Sequence, residues 1–97
     1  MRFSWDHDKS SANYRDRGFD FEIAALIFDG PTLEREDSRQ DYGERRIVAT
    51  GLAHGMALTV CYTDRIDPDG MVNRRIISAR GSNRSERKAY QEAIARR

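Results

Sequence analysis

Cysteine, histidine and proline are nearly missing from this 97-residue chain, which holds one Cys, two His and two Pro. A lone cysteine closes no internal disulfide. Cys61 lies in an apolar run and reads as a buried small hydrophobe, not a nucleophile. His7 and His54 stand far apart in sequence, and Asp6-x-Asp8 lacks the rest of a calcium loop. No metal-site spacing is present, therefore, and no metal or other cofactor is expected. A phosphate-cradling glycine motif and a Gly-x-Ser-x-Gly elbow are also absent. No run is apolar enough to span a membrane, and the first residues contain no apolar signal-peptide core. The expectation is a cytoplasmic protein with no membrane partner.

What is present is charge. Charged residues make up 34% of the chain and hydrophobic ones 38%, enough for one small domain over residues 1–97 with a modest core. The net charge is only +1, but the two signs are unevenly placed. Residues 1–41 hold 6 Lys/Arg against 10 Asp/Glu, whereas residues 42–97 hold 11 against 6. The C-terminal half is basic enough to form a local anion-binding surface, although counts alone favour a salt-bridged, solvated surface.

Periodicity and punctuation outline the elements. Phe3-Ser4-Trp5 reads as a short strand. Asp6 or Asp8 caps a helix running to Arg17, with Gly18 as its stop, and Lys9, Asn13 and Arg17 line one polar stripe of it. Asp20 caps a second helix over about 21–29, with Phe21, Ala24, Ala25 and Phe28 inward, ended by Gly30-Pro31. A strand at 32–37 and a polar loop at Asp37–Gly43, the segment expected to be most flexible, come next. Residues 44–52 and 57–65 form a hairpin around Ala53-His54-Gly55-Met56, with His54 decorating the turn. Asp67-Pro-Asp-Gly70 turns the chain into a strand at 72–80. Asn83 with Glu86 forms a capping box opening a helix to about 95, with Ala89, Tyr90, Ala93 and Ile94 inward. The order β-α-α-β-β-β-β-α predicts an α+β fold: an antiparallel sheet with two N-terminal helices and one C-terminal helix on one side.

Two strands begin apolar and end on arginine: Tyr62-Thr-Asp-Arg65 and Arg75-Ile-Ile-Ser-Ala-Arg80. Such an arginine holds a permanently charged, planar fork of donors. Strand alternation places Arg74, Ile76, Ser78 and Arg80 on one face, and Arg75, Ile77 and Ala79 on the other. Arg80 precedes Gly81-Ser82-Asn83 at a helix N-terminus, where free N–H groups favour an anion. Whether each arginine meets an internal carboxylate or an external phosphate is open on pattern alone. Glu44, beside Arg45 and Arg46, reads as a charge partner more readily than as a general base.

Taken in order, Trp5-Asp6, Lys9, Asn13, Gly18, Phe21-Glu22, Phe28-Asp29, Pro31, Asp41-Tyr-Gly-Glu-Arg-Arg46, Tyr62-Thr-Asp-Arg65, Arg75-Ile-Ile-Ser-Ala-Arg80 and Glu86-Arg87 with Tyr90 resemble the BrnT family of type II toxin–antitoxin toxins. The resemblance implies a RelE-like fold and a metal-independent endoribonuclease that cuts messenger RNA and inhibits translation. It implies a BrnA-like antitoxin as partner, with promoter DNA reached only through that antitoxin. In the mechanism so implied, the ribose 2′-hydroxyl attacks the adjacent phosphate. Glu44 is the base, Arg65 and Arg80 neutralise the phosphoryl oxygens, and Lys9, Asn13, Arg17 and Arg46 hold the RNA. One departure bears on activity: the family reads Lys-His-Gly where this chain has Asp16-Arg17-Gly18, and a protonated arginine is a poor proton carrier. The alternative is therefore a weak or inactive toxin homologue acting as an antitoxin-binding co-repressor.

Overall fold

The computed structural model describes residues 1–97. Five strands form one sheet: β1 (Arg2–Trp5), β2 (Leu33–Glu36), β3 (Ile47–Ala53), β4 (Met56–Ile66) and β5 (Val72–Gly81), in the order β1-β5-β4-β3-β2. The helices are α1 (His7–Arg17), α2 (Phe21–Ala24, continued as a 3-10 turn over Ala25–Asp29) and α3 (Arg84–Ala95).

The locally encoded features form as the sequence predicts. Asp6 accepts from the N–H groups of Asp8 and Lys9 and caps α1, while Gly18, at φ +85°, ends it. Asp20 accepts from Ile23 N–H and caps α2. Asn83 and Glu86 make the reciprocal capping box of α3. In the β3–β4 hairpin, His54 and Gly55 both have positive φ, 50° and 77°, the backbone that a two-residue turn needs to match strand twist.

The sheet departs from the antiparallel expectation in one place. β1 pairs with β5 in parallel, Arg2 opposite Asn73 through Trp5 opposite Ile76. No hairpin joins these strands, so no turn imposes the antiparallel direction. Phe3 and Trp5 pack on the core, and the chain leaves Trp5 into α1, which lies against β5. The second N-terminal helix is only four residues of α-helix. Its tightening into a 3-10 turn rotates Ile27 inward, fully buried, and leaves Ala25 and Phe28 half-buried.

The helices also do not share one side. Ala49, Val60, Tyr62, Ile76 and Ala79 join Phe19, Phe21, Ala24 and Ile27 in the core. Their strand neighbours Thr50 and Thr59 point the other way, and Thr59 Oγ1 meets Ser82 Oγ and donates to Glu86 of α3. α1 and α2 thus belong with the core face, and α3 packs across part of the opposite face. Only Tyr90 of its expected stripe is buried, its hydroxyl donating to Pro31 O.

A bulge decides which arginines face where. Cys61 pairs with Ser78 but Tyr62 with Ile76, so Ile77 is an extra residue in β5. Alternation is reset across it. Ile76 and Ala79, three apart, are both buried in the core. Arg74 goes with Ile76 to the core side, stacked on Tyr62 and Phe28 and bonded through Nε and Nη2 to Asp64 at 2.8 and 2.9 Å. Arg75, registered opposite Thr63, goes with Ser78 and Arg80 to the opposite, open face. The sequence-based grouping of Arg74 with Arg80 is overturned by this one residue.

Candidate nucleic-acid interface

The open face lies between α1 at one side and α3 with β2 at the other. Its floor is built from Thr59, Cys61 and Thr63 of β4, and its cations come from every surrounding element. Arg35 is on β2, Arg39 and Arg46 on the β2–β3 connection, Arg65 on β4, Arg75 and Arg80 on β5, and Lys9 and Arg17 on α1. Lys9, Asn13, Arg17 and Ser78 line a groove of about 260 Å³ between α1 and β5. Ser78 also lines a depression with Arg35, Arg39, Cys61 and Arg80, so the two join across it. At the far end, Glu44, Arg45, Thr63 and Arg65 border a groove of about 480 Å³ that wraps the end of the sheet, since Tyr62 and Asp64 of the core side line it too.

Some of these cations are already neutralised. Arg80 makes a two-pronged ion pair with Glu86, Nη1 to Oε1 at 2.7 Å and Nη2 to Oε2 at 2.8 Å. Glu86 also accepts from Asn83 N–H at 2.9 Å and from the Thr59 hydroxyl at 3.2 Å. The anion favoured at the start of this helix is thus the chain's own carboxylate. The Arg80 guanidinium and these hydrogen bonds hold Glu86 down to about 2. Arg65 pairs loosely with Glu44, Nη2 to Oε2 at 3.7 Å, and the Arg65 side chain is 56% exposed. Arg39 is gripped by Asp37, which is buried beneath it and held down to about 2 by that guanidinium and the adjoining hydrogen bonds.

Asp37 also organises the segment expected to be most flexible. Its carboxylate accepts from Arg39 N–H and from the Tyr42 hydroxyl, and its N–H donates to Arg46 O at 2.8 Å. Tyr42 in turn supports the Arg46 guanidinium, 3.9 Å above its ring.

Five cations of this face form no ion pair: Lys9, Arg17, Arg35, Arg46 and Arg75. Arg17 donates to Asn13 Oδ1 at 3.0 Å, and Asn13 Nδ2 donates to Phe19 O. Asn13 is buried and orients Arg17 from below. Arg46 Nε is a buried donor with no partner in the fold. The Cys61 thiol, pushed up by burial, stays protonated at neutral pH and is no ready nucleophile.

The structure brings Glu44 together with Arg65, and Lys9 and Arg17 together beside β5. It does not bring Arg65 to Arg80. Arg80 registers with Thr59, six residues from Arg65 along β4, so their Cα atoms lie about 20 Å apart. Sequence reasoning missed Arg75, Arg35 and Arg39. For Arg75 the available signal was the doublet Ile76-Ile77, since two adjacent bulky apolar residues in a half-open strand break alternation and mark a bulge.

A family model described as ribonuclease toxin, BrnT, of type II toxin-antitoxin system matches residues 5–86. No curated protein matches the chain. The matched span carries every residue of the open face named above. No helix is long and apolar enough to cross a membrane.

Proposed function

We infer that this chain, which belongs to the BrnT family of ribonuclease toxins of type II toxin–antitoxin systems, cleaves RNA laid across the open face of its sheet. The observation that carries this reading is the gathering of unpaired cations from α1, β2, the β2–β3 connection and β5 on one face. Five unneutralised charges gathered on one face suit a polyanionic strand, which neutralises them in sequence. The reading keeps the RelE-like frame, cytoplasmic action and a BrnA-like antitoxin as its partner, with promoter DNA contacted only through that antitoxin.

The chemistry proposed is transesterification without a metal. Glu44 takes the proton of a ribose 2′-hydroxyl, and the 2′-oxygen forms a bond to the adjacent phosphorus. The P–O5′ bond breaks, the leaving 5′-oxygen takes a proton from water, and a 2′,3′-cyclic phosphate remains. Arg65, 3.7 Å from Glu44, stands where charge grows on the phosphoryl oxygens. Lys9, Asn13, Arg17 and Arg46 position the strand, Asn13 acting through Arg17. Given its distance from Arg65, Arg80 takes a different phosphate, in competition with Glu86.

The test is purified full-length protein on a defined RNA with chelator present. Cleavage by the parent, reduced roughly 100-fold or more in an Arg65→Ala/Arg80→Ala double variant, is expected. Unchanged cleavage by the double variant rules out this assignment. A second reading, a weak or inactive toxin retained as an antitoxin-binding co-repressor, is favoured by one observation: Arg80 and Arg65 both already hold carboxylates. Tight antitoxin binding with no RNA cleavage and no growth arrest on expression would select it.

A further inference from the structure

Three arginines of this chain are half-buried: Arg46, Arg74 and Arg75. Arg74 is fully accounted for by Asp64 and two aromatic rings. Arg46 and Arg75 are not. Neither forms an ion pair, neither guanidinium makes a hydrogen bond within the fold, and Arg46 Nε is buried without a partner. Partly withdrawing a guanidinium from water without an acceptor carries a cost, and an anion from outside would offset it for two such groups on one face.

Their placement says which anion. Arg75 registers opposite Thr63. On the other side of β4, Ile47 registers opposite Tyr62, and Thr63 Oγ1 donates to Arg45 O at 2.7 Å, so the chain at Arg46 runs beside Thr63. Arg46 and Arg75 therefore flank Thr63 from the two neighbouring strands, with Cα atoms about 10 Å apart. That gap lets two guanidinium forks close on one tetrahedral oxyanion from opposite sides. Thr63 is buried and its hydroxyl proton is committed to Arg45 O, so it forms the floor and not a donor. Each arginine is held in place: Arg46 by the Tyr42 ring, Arg75 by the bulge at Ile77 that turns it to this face and by the pull of Asp6.

We propose that Arg46 and Arg75 form a two-arginine clamp over Thr63 for one backbone phosphate of the bound RNA, between the Glu44–Arg65 groove and the α1–β5 groove. The inference rests on the RNA-cleavage reading and adds Arg75 and the pairing to it.

The test uses the full chain and a single-stranded RNA oligonucleotide methylated at every 2′-oxygen, which binds without being cut under the proposed chemistry. Binding is measured over a salt series from about 0.05 to 0.2 M. Arg75→Ala is expected to lower the slope of log K against log salt by about 0.7 and the affinity by about fivefold. Arg75→Lys should restore the slope, and Arg96→Ala, at the far end of α3, should leave it unchanged. The loss from Arg75→Ala should shrink in an Arg46→Ala background, because one phosphate is being shared. Arg75→Gln replaces Arg75→Ala if the alanine variant melts early. A folded Arg75 variant with the parent's slope and affinity overturns the clamp, and so does strict additivity with Arg46→Ala. A parent that does not bind the oligonucleotide overturns the RNA reading itself, a result distinguishable from either.

Discussion

Replacing Glu86 by glutamine should make the protein less stable and at the same time a better RNA binder. Glu86 occupies Arg80 with two hydrogen bonds, caps α3 through Asn83 N–H and accepts from Thr59. Glutamine keeps the length and one acceptor oxygen, so the capping contact survives in part, and the loss is chiefly the charge. With Arg80 44% exposed, solvent screening holds that ion pair to about 1 kcal/mol or less. Adding a weakened cap, the net loss is about 1 kcal/mol, or roughly 5 °C in Tm for a chain of this size. In exchange, Arg80 becomes free for a phosphate. One added contact to single-stranded RNA steepens the dependence of log K on log salt by about 0.7, worth about fivefold in affinity at 0.1 M relative to 1 M salt. Thermal melts and salt-series binding to the methylated oligonucleotide read the two effects separately. A Glu86→Gln protein that is destabilised but has the parent's affinity and slope would refute the reasoning, showing that Arg80 does not border the RNA path.

Two further predictions concern the fold. Glu86 is lowered from 4.5 to about 2, so its contribution to stability is fully present above about pH 4.5 and fades as pH falls toward 2. The stability gap between parent and Glu86→Gln, followed by circular dichroism, should therefore close over that window; a gap that persists at pH 2 contradicts the pairing. Gly51→Ala would place a Cβ 2.9 Å from Ile27 Cβ and 3.2 Å from Thr32 Cγ2, where the 3-10 turn crosses β3. Denaturant unfolding should show a loss of roughly 1–3 kcal/mol, and an unperturbed midpoint would mean that this crossing is looser than described.

What the sequence made legible is what neighbouring residues determine. Asp6, Asp20 and the Asn83–Glu86 box cap their helices because each cap is closed within four residues. His54-Gly55 makes the hairpin for the same reason. What stayed hidden depends on partners distant in the chain. The parallel docking of β1 depends on β5 having a free edge, and the side taken by α3 depends on Thr59 and Tyr90 finding Glu86 and Pro31. The facing of Arg74 and Arg75 depends on a register shift against β4, which period-two alternation does not encode. The cationic residue types of the site were readable, but their pairing was not. Arg80 looked like the best anion receptor because of the helix start after it, and that same helix start supplies the anion that fills it.

The parallel β1–β5 pairing also sets an order of events during synthesis. Ser4 Oγ bonds Asn73 Oδ1 across 69 positions, and α1 follows directly from β1. The groove that holds Lys9 and Arg17 against Ser78 has no second wall until the ribosome has made β5, near the end of the chain. A nascent polypeptide broken off before that point carries its N-terminal cations without the surface that gathers them.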